Sequence, residues 1–143
     1  MPATPSIMSL HLRYRLWIAQ MNFDINVLRI FNDYLGELSS RKDEPEVNAK
    51  IGYFEQQFPA FRTEIDDLRN EMHLLKMKLA SYSREKKPLD YKTYLEDKHT
   101  AVEDRYHEFR KNFDKIMKED EGFEVNWLIY KKESSLRCFQ MLF

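Results

Sequence analysis

Apolar side chains recur at alternating gaps of three and four residues over 51–82, and this spacing predicts a long helix with one apolar stripe. The ten stripe positions are Ile51, Phe54, Phe58, Phe61, Ile65, Leu68, Met72, Leu75, Leu79 and Tyr82. A repeat that averages about 3.5 residues keeps one helix face toward a partner, as in coiled coils. Asp43 with Glu46 predicts an N-terminal cap, and Pro59 predicts a bend because proline removes a backbone hydrogen bond. We therefore expect a helix over 44–82 that is kinked near Pro59.

Similar stripes lie on both sides of this segment. Upstream the spacing is followed by Trp17, Met21, Leu28, Phe31, Leu35 and Leu38, and downstream a strict seven-residue repeat is formed by Leu95, Val102, Phe109 and Ile116. These stripes predict a first helix over 10–39, after a flexible N-terminus at 1–9, and a third helix over 90–120. Short connections make successive helices antiparallel neighbours. The expected fold is all-α, a single domain over 1–143 in which three long heptad-patterned helices form an up-down-up antiparallel bundle.

The last segment, 122–143, is apolar and carries few charges. Gly122 is expected to end the third helix, because glycine readily adopts the conformation that terminates helices. Large apolar surfaces are rarely left exposed to water, so the segment needs a cover. We expect it to pack onto the bundle as a short fourth element, with a dimer contact or a membrane-surface contact as alternatives. The side chains expected to make such contacts are Trp127, Leu128, Tyr130, Phe139 and Phe143.

Composition and charge remove several classes of function. The net charge of −1 over 143 residues provides no global attraction for nucleic acid or anionic lipid. The three glycines lie far apart, which excludes the clustered glycines of a phosphate-binding loop. Cys138 is the only cysteine, so an intramolecular disulfide is excluded and a reducing, cytoplasmic location is expected. No run approaches the roughly 18 apolar residues of a membrane-spanning helix. No cofactor is expected.

Glu96 and His99 have a spacing that metal sites use. This Glu-x-x-His pair is similar to the pairs that ferritin-like di-iron bundles project inward from one helix. Such a site needs pairs on two helices, whereas the near-copy, Asp104 with His107, lies on the same predicted helix. A metal site at Glu96 and His99 is therefore an alternative. The favoured interpretation makes His99 a core-edge imidazole bonded to a tyrosine or carboxylate, and counting residues from the connections sets it beside Tyr14.

Charged positions of the first helix need separate treatment. Asp24 falls on the apolar stripe, where an unpaired carboxylate would be costly, so Ile25 is expected to take the inward place. Arg13 and Arg15 alternate with aromatic residues, a combination that nucleic-acid interfaces use. Two arginines neutralise too few phosphates for strong binding. We expect them to pair with acids from the second helix or the C-terminal segment.

These observations favour a small intracellular helical-bundle protein with a structural or interaction role over an enzyme. No residue is proposed as catalytic, and the expected partner is another protein or a second copy of the chain. One alternative is a carboxylate and histidine metal-binding bundle that uses Glu96 and His99. A further alternative is peripheral membrane association through the aromatic C-terminal segment.

Overall fold

The computed structural model describes the backbone of residues 7–39, 45–85 and 89–141, and the side chains of 8–38, 45–82, 84 and 93–124. The backbone forms three helices, which are α1 (Ile7–Ser39), α2 (Pro45–Glu85) and α3 (Leu89–Met141). The helices pack against one another around a shared apolar core. The predictions of an all-α fold and of a three-helix bundle are therefore confirmed.

The apolar stripe of α2 lies in the core. Its buried members are Ile51, Phe54, Phe58, Phe61, Ile65, Leu68, Met72, Leu75 and Leu79, with Tyr82 partly buried. The ring of Phe61 meets the rings of Phe109 and Phe113 of α3, at centroid distances of 6.1 and 5.3 Å. Removing apolar surface from water stabilises such contacts by about 25 cal/mol per Å². This burial, more than helix propensity, keeps the long helices folded.

Contacts between the helices follow a regular order. Early residues of α2 contact late residues of α3 and the reverse, as in the pairs Phe54 with Phe123 and Lys78 with Tyr94. In the contacts between α1 and α3, the residue numbers instead rise together along both helices, as in the pairs Tyr14 with His99 and Asp24 with Arg110.

α3 continues through Gly122, so the expected end of the third helix at this residue is wrong. Gly122 does not adopt the left-handed backbone conformation of a helix-ending glycine. Glycine inside a helix costs only about 1 kcal/mol, and the packing of Phe123 on the core offsets this cost. The backbone of 122–141 is thus part of α3 and forms no separate fourth helix. The packing of side chains after Glu124 lies outside the described residues.

The other helix bounds shift by a few residues. α1 begins at Ile7, within the segment expected to be flexible, and Leu10 is already buried. α2 continues through Pro59, and the hydroxyl of Thr63 donates a hydrogen bond to the carbonyl oxygen of Pro59 at 3.1 Å. The kink near Pro59 stays a prediction. Within the described ranges, no helix has both the length and the apolar character needed to cross a membrane.

Candidate functional site

A buried ion pair joins α1 to α3. Asp24 is 2% exposed, so the expectation that Ile25 would take the inward place is wrong. The two carboxylate oxygens of Asp24 accept hydrogen bonds from the two terminal nitrogens of Arg110, at 3.0 and 2.5 Å. A two-bond contact between guanidinium and carboxylate is the strongest form of this pairing. The positive charge of Arg110 on α3 therefore offsets the desolvation cost of burying Asp24.

Aromatic rings surround the guanidinium of Arg110. Its central carbon lies 5.4 Å from the ring centroid of Tyr106 and 5.6 Å from those of Phe109 and Phe113. Arg110 also donates a hydrogen bond to the Tyr106 hydroxyl at 3.2 Å. Burial, opposed by this hydrogen bond, raises the pKa of Tyr106. Sequence reasoning missed Arg110, which directly follows the core residue Phe109 on α3.

His99 is held by hydrogen-bonding groups on both sides of its ring. Its Nδ1 lies 2.6 Å from the hydroxyl of Tyr14, and its Nε2 lies 3.1 Å from a carboxylate oxygen of Glu103. The carboxylate can only accept, so Nε2 carries the proton and the Tyr14 hydroxyl donates to Nδ1. Burial lowers the pKa of His99, although Glu103 opposes this shift, and the imidazole is neutral at pH 7. The expected neighbour Tyr14 is confirmed.

Trp17 covers this histidine from α1. Its ring stacks on Tyr106 at 4.7 Å between centroids and lies nearly parallel to His99 at 6.5 Å. Arg13 sits over the same indole at 6.0 Å and contacts Glu103 at 3.5 Å. Arg13 thus pairs with an acid of α3, not with one of α2 or the C-terminal segment as expected. These contacts form a polar and aromatic layer between α1 and α3.

This layer is not arranged for nucleophilic chemistry. Tyr14 is fully buried, and burial raises the pKa of its hydroxyl, which keeps the oxygen protonated. A nucleophile needs the deprotonated form or a nearby base together with access to substrate. The hydroxyl of Tyr14 instead acts as a hydrogen-bond donor to His99. The contacts of Tyr14, His99 and Glu103 therefore hold two helices together.

The metal candidates are not brought together as a ligand set. Glu96 is exposed, and the two ring nitrogens of His99 are engaged by Tyr14 and Glu103. A metal ion at His99 would have to displace one of these contacts. Across the side chains that the structure describes, no group of three or more His, Cys, Asp or Glu residues could hold a metal ion.

Two acids lie in the core near the end of the described side chains. Asp120 is fully buried and Glu124 is 4% exposed, and none of their four carboxylate oxygens has a hydrogen-bonding partner among the described residues. Burial raises the pKa of both groups, that of Glu124 to about 9, and their proximity one turn apart adds to the shift for Glu124. At least one of the two is therefore protonated at neutral pH.

Sequence reasoning missed this acid pair because it kept a strict seven-residue repeat through Ile116. Met117 is the buried residue there, and Ile116 is only partly buried. The buried positions of α3 run Leu95, His99, Val102, Tyr106, Phe109, Phe113, Met117, Asp120 and Glu124. Two successive gaps of four, around Phe113, shift the stripe by one residue. Continuing the gaps of three and four from Met117 would have found both acids.

A second apolar stripe lies on the solvent side of α1. Its large exposed members are Met8, Leu12, Leu16, Phe23, Ile30 and Tyr34. At 100° per residue they fall within about a third of the helix circumference, on the side opposite to the core. The sequence signal was present as gaps of four and seven residues between these members, which sequence reasoning did not separate from the core stripe. We call this set the outer stripe of α1.

The C-terminal contact candidates fall outside the described side chains. Trp127, Leu128, Tyr130 and Phe139 lie on the backbone of α3, but their side chains are not among those described, and Phe143 lies beyond the described residues altogether. Their part in binding stays a prediction.

The polar layer, the acid pair and the outer stripe are the three features that bear on function. Comparison of the chain with protein-family models, with curated proteins and with solved structures finds no match.

Proposed function

We propose that this chain is a non-enzymatic helical interaction module, which binds an amphipathic helix of a protein along the outer stripe of α1. The observation that carries the proposal is the exposure of six large apolar side chains on one face of one helix. Phe23 and Leu16 each leave 60% of their surface in water, and Met8 leaves 82%. Exposed apolar residues scattered singly are ordinary, whereas a continuous stripe marks a contact surface.

The charge distribution supports the same surface. Of the 33 residues of α1, six are charged, namely Arg13, Arg15, Asp24, Arg29, Asp33 and Glu37, whereas α2 carries 13 charged residues in 41. Asp24 is buried with Arg110, so fewer still face outward. Charged residues are depleted in the centre of protein interfaces. The solvent side of α1 thus has the composition of an interface and that of α2 has the composition of ordinary surface.

The buried polar side chains bind one another within the bundle, and this supports a non-enzymatic role. Asp24 is neutralised by Arg110, and His99 is bonded at both nitrogens. Groups held in this way have little freedom to bind or transform a small molecule. They define which helix faces meet, which suits a scaffold.

We also infer that the bundle runs up-down-up, with α1 parallel to α3 and α2 opposite to both. The order of contacts supports this path, since residue numbers fall along α3 as they rise along α2, and rise together along α1 and α3. In this arrangement the core side of α1 faces both other helices, and its outer stripe points away from the described side chains of α2 and α3. A cytoplasmic location remains part of the proposal, because the single cysteine suits a reducing compartment.

Photo-crosslinking in cells tests the function. A photoreactive phenylalanine analogue at position 23 should form crosslinks to a helical segment of a protein, which mass spectrometry of the crosslinked peptides identifies. The same analogue at position 77 is the matched control, because Met77 is 67% exposed but lies on α2. Crosslinks from position 23 only to lipid, or no more to protein than from position 77, would reject the proposal.

A further inference from the structure

The outer stripe of α1 has a spacing that is symmetric about Phe23. Moving four, seven and eleven residues in either direction gives the pairs Ala19 with Val27, Leu16 with Ile30 and Leu12 with Tyr34. Phe23, Leu16, Leu12, Ile30 and Tyr34 are large and exposed, Ala19 is exposed and Val27 is partly buried. A two-fold axis through Phe23 therefore brings apolar residues of one helix onto apolar residues of an identical antiparallel helix. A two-fold interface requires self-complementarity of this kind.

The charged residues beside the outer stripe also favour an antiparallel pair of α1 helices. The first half of α1 carries Arg13 and Arg15 and no acid before Asp24, whereas Asp33 lies in the second half. In an antiparallel pair centred on Phe23, Arg15 of one chain comes within about one turn of Asp33 of the other, on the same side of the stripe. Arg29 lies farther round the helix from the stripe. A parallel pair would set Arg15 at the level of its own copy and far from Asp33, so this contact between opposite charges would be lost.

The size of the stripe also fits a dimer. The six large side chains leave 45% to 82% of their surfaces in water, and burying them would supply much of the about 800 Å² per partner that a stable standard interface buries. Flanking residues such as Arg15 and Ala19 can supply the difference. The outer stripe is long enough for this, since Leu12 and Tyr34 are separated by about 33 Å along the helix.

We propose that the outer stripe of α1 binds a second copy of this chain, as an antiparallel two-fold pair of α1 helices with Phe23 on the axis. This inference rests on the proposed function and names its partner. In the pair, Leu16 of each chain packs on Ile30 of the other, and Leu12 packs on Tyr34. The two bundles lie back to back, with their cores on the far sides of the α1 helices.

Analytical ultracentrifugation of the purified full-length chain tests the dimer. The wild type should dimerise reversibly, and Phe23→Glu should weaken dimerisation by about 100-fold or more, because it sets two carboxylates against each other at the centre of the interface. Met77→Glu is the control and should leave the dissociation constant unchanged, because Met77 is equally accessible but lies on α2. Circular dichroism should show all three proteins equally helical. A wild type that stays monomeric up to high micromolar concentration overturns the inference, as does a dimer indifferent to Phe23→Glu.

Disulfide trapping tests the direction and register, in a Cys138→Ser background that removes the single native thiol. Phe23→Cys should oxidise to a crosslinked dimer. Leu16→Cys alone should not, whereas Leu16→Cys combined with Ile30→Cys should, because a disulfide needs Cα atoms within about 7 Å of each other. Efficient crosslinking of the single Leu16→Cys variant would show a parallel pair and overturn the antiparallel arrangement.

The two proposals can fail separately. A monomeric purified chain whose position 23 still crosslinks another protein in cells would reject the homodimer and keep the interaction surface. A monomeric chain whose position 23 crosslinks only lipid would reject both proposals.

Discussion

α3 places ionisable side chains in the core at two levels, and the two levels differ in how they are balanced. Arg110 meets Asp24 of α1 in a two-bond ion pair. About three turns further along, Asp120 and Glu124 are buried beside each other without a basic or hydrogen-bonding partner among the described side chains. Inward position alone therefore does not decide the charge of a buried group. The partner that a neighbouring helix supplies decides it.

The physical difference lies in desolvation. A buried carboxylate loses its hydration, and only a well-placed opposite charge restores the energy of the ionised form. Arg110 supplies that charge and also rests against three aromatic rings. Asp120 and Glu124 lie beside each other instead of beside a cation, so burial favours their protonated forms and raises the pKa of both. An ion pair therefore stabilises the Asp24 level of the core, whereas protonation of the carboxyl groups stabilises the level of Asp120 and Glu124.

Removing the arginine should have the largest effect. Arg110→Met leaves Asp24 buried and without its cation, and we expect a loss of about 3–5 kcal/mol in the free energy of unfolding. Chemical denaturation followed by circular dichroism measures it. The matched double variant, Asp24→Leu with Arg110→Met, should regain most of the loss because no charge is left unpaired. A single variant as stable as the wild type would show that the pair contributes nothing.

The acid pair should make the stability of the bundle fall as pH rises. Carboxyl groups ionise near pH 4 in the unfolded chain, whereas the folded chain keeps its protons longer, Glu124 up to about pH 9. The folded state thus binds more protons between these limits. Its stabilisation is complete below pH 4 and is lost as pH rises, with a slope of up to about 1.4 kcal/mol per pH unit for each proton retained.

Denaturation curves at several pH values between 5 and 8 measure that slope. Asp120→Asn combined with Glu124→Gln should flatten it, because neither side chain can then ionise. The matched control is Asp104→Asn with Glu108→Gln, an exposed pair with the same spacing on the same helix, which should leave the slope unchanged. An equal slope in the wild type and in the buried double variant would mean that both acids are ionised when folded.

The layer around His99 should give the smallest effect, since the contact between Tyr14 and His99 is a single hydrogen bond between neutral groups. Tyr14→Phe removes the donor to Nδ1 and should cost about 1–2 kcal/mol. Tyr53→Phe, a change at an exposed tyrosine of α2, should cost little. Because burial lowers the folded pKa of His99, its contribution is present above pH 6.5 and is lost as pH falls below that value. An NMR titration in which His99 protonates at or above pH 6.5 would contradict this interpretation.

The apolar stripe of α2 could be predicted residue by residue, because gaps of three and four depend only on helix geometry. The neighbour of His99 followed from counting along helices of known rise, and the contact with Tyr14 confirms it. The prediction that Asp24 points outward was wrong because Arg110 of α3 lies opposite it and offsets the cost of burying an acid. The prediction that the third helix ends at Gly122 was wrong because the packing of Phe123 on the core outweighs the low helix propensity of glycine.

Local periodicity predicted the three long helices, the limits of α1 and α2 to within a few residues and most of the apolar faces that meet. The tertiary structure was needed to place each ionisable group inside or outside and to show whether it keeps its charge. It also separated the outer stripe of α1 from the core stripe. The physical reason is that burial and electrostatic balance depend on the side chains that other helices bring near, and contacts between distant residues leave no periodic mark on the sequence.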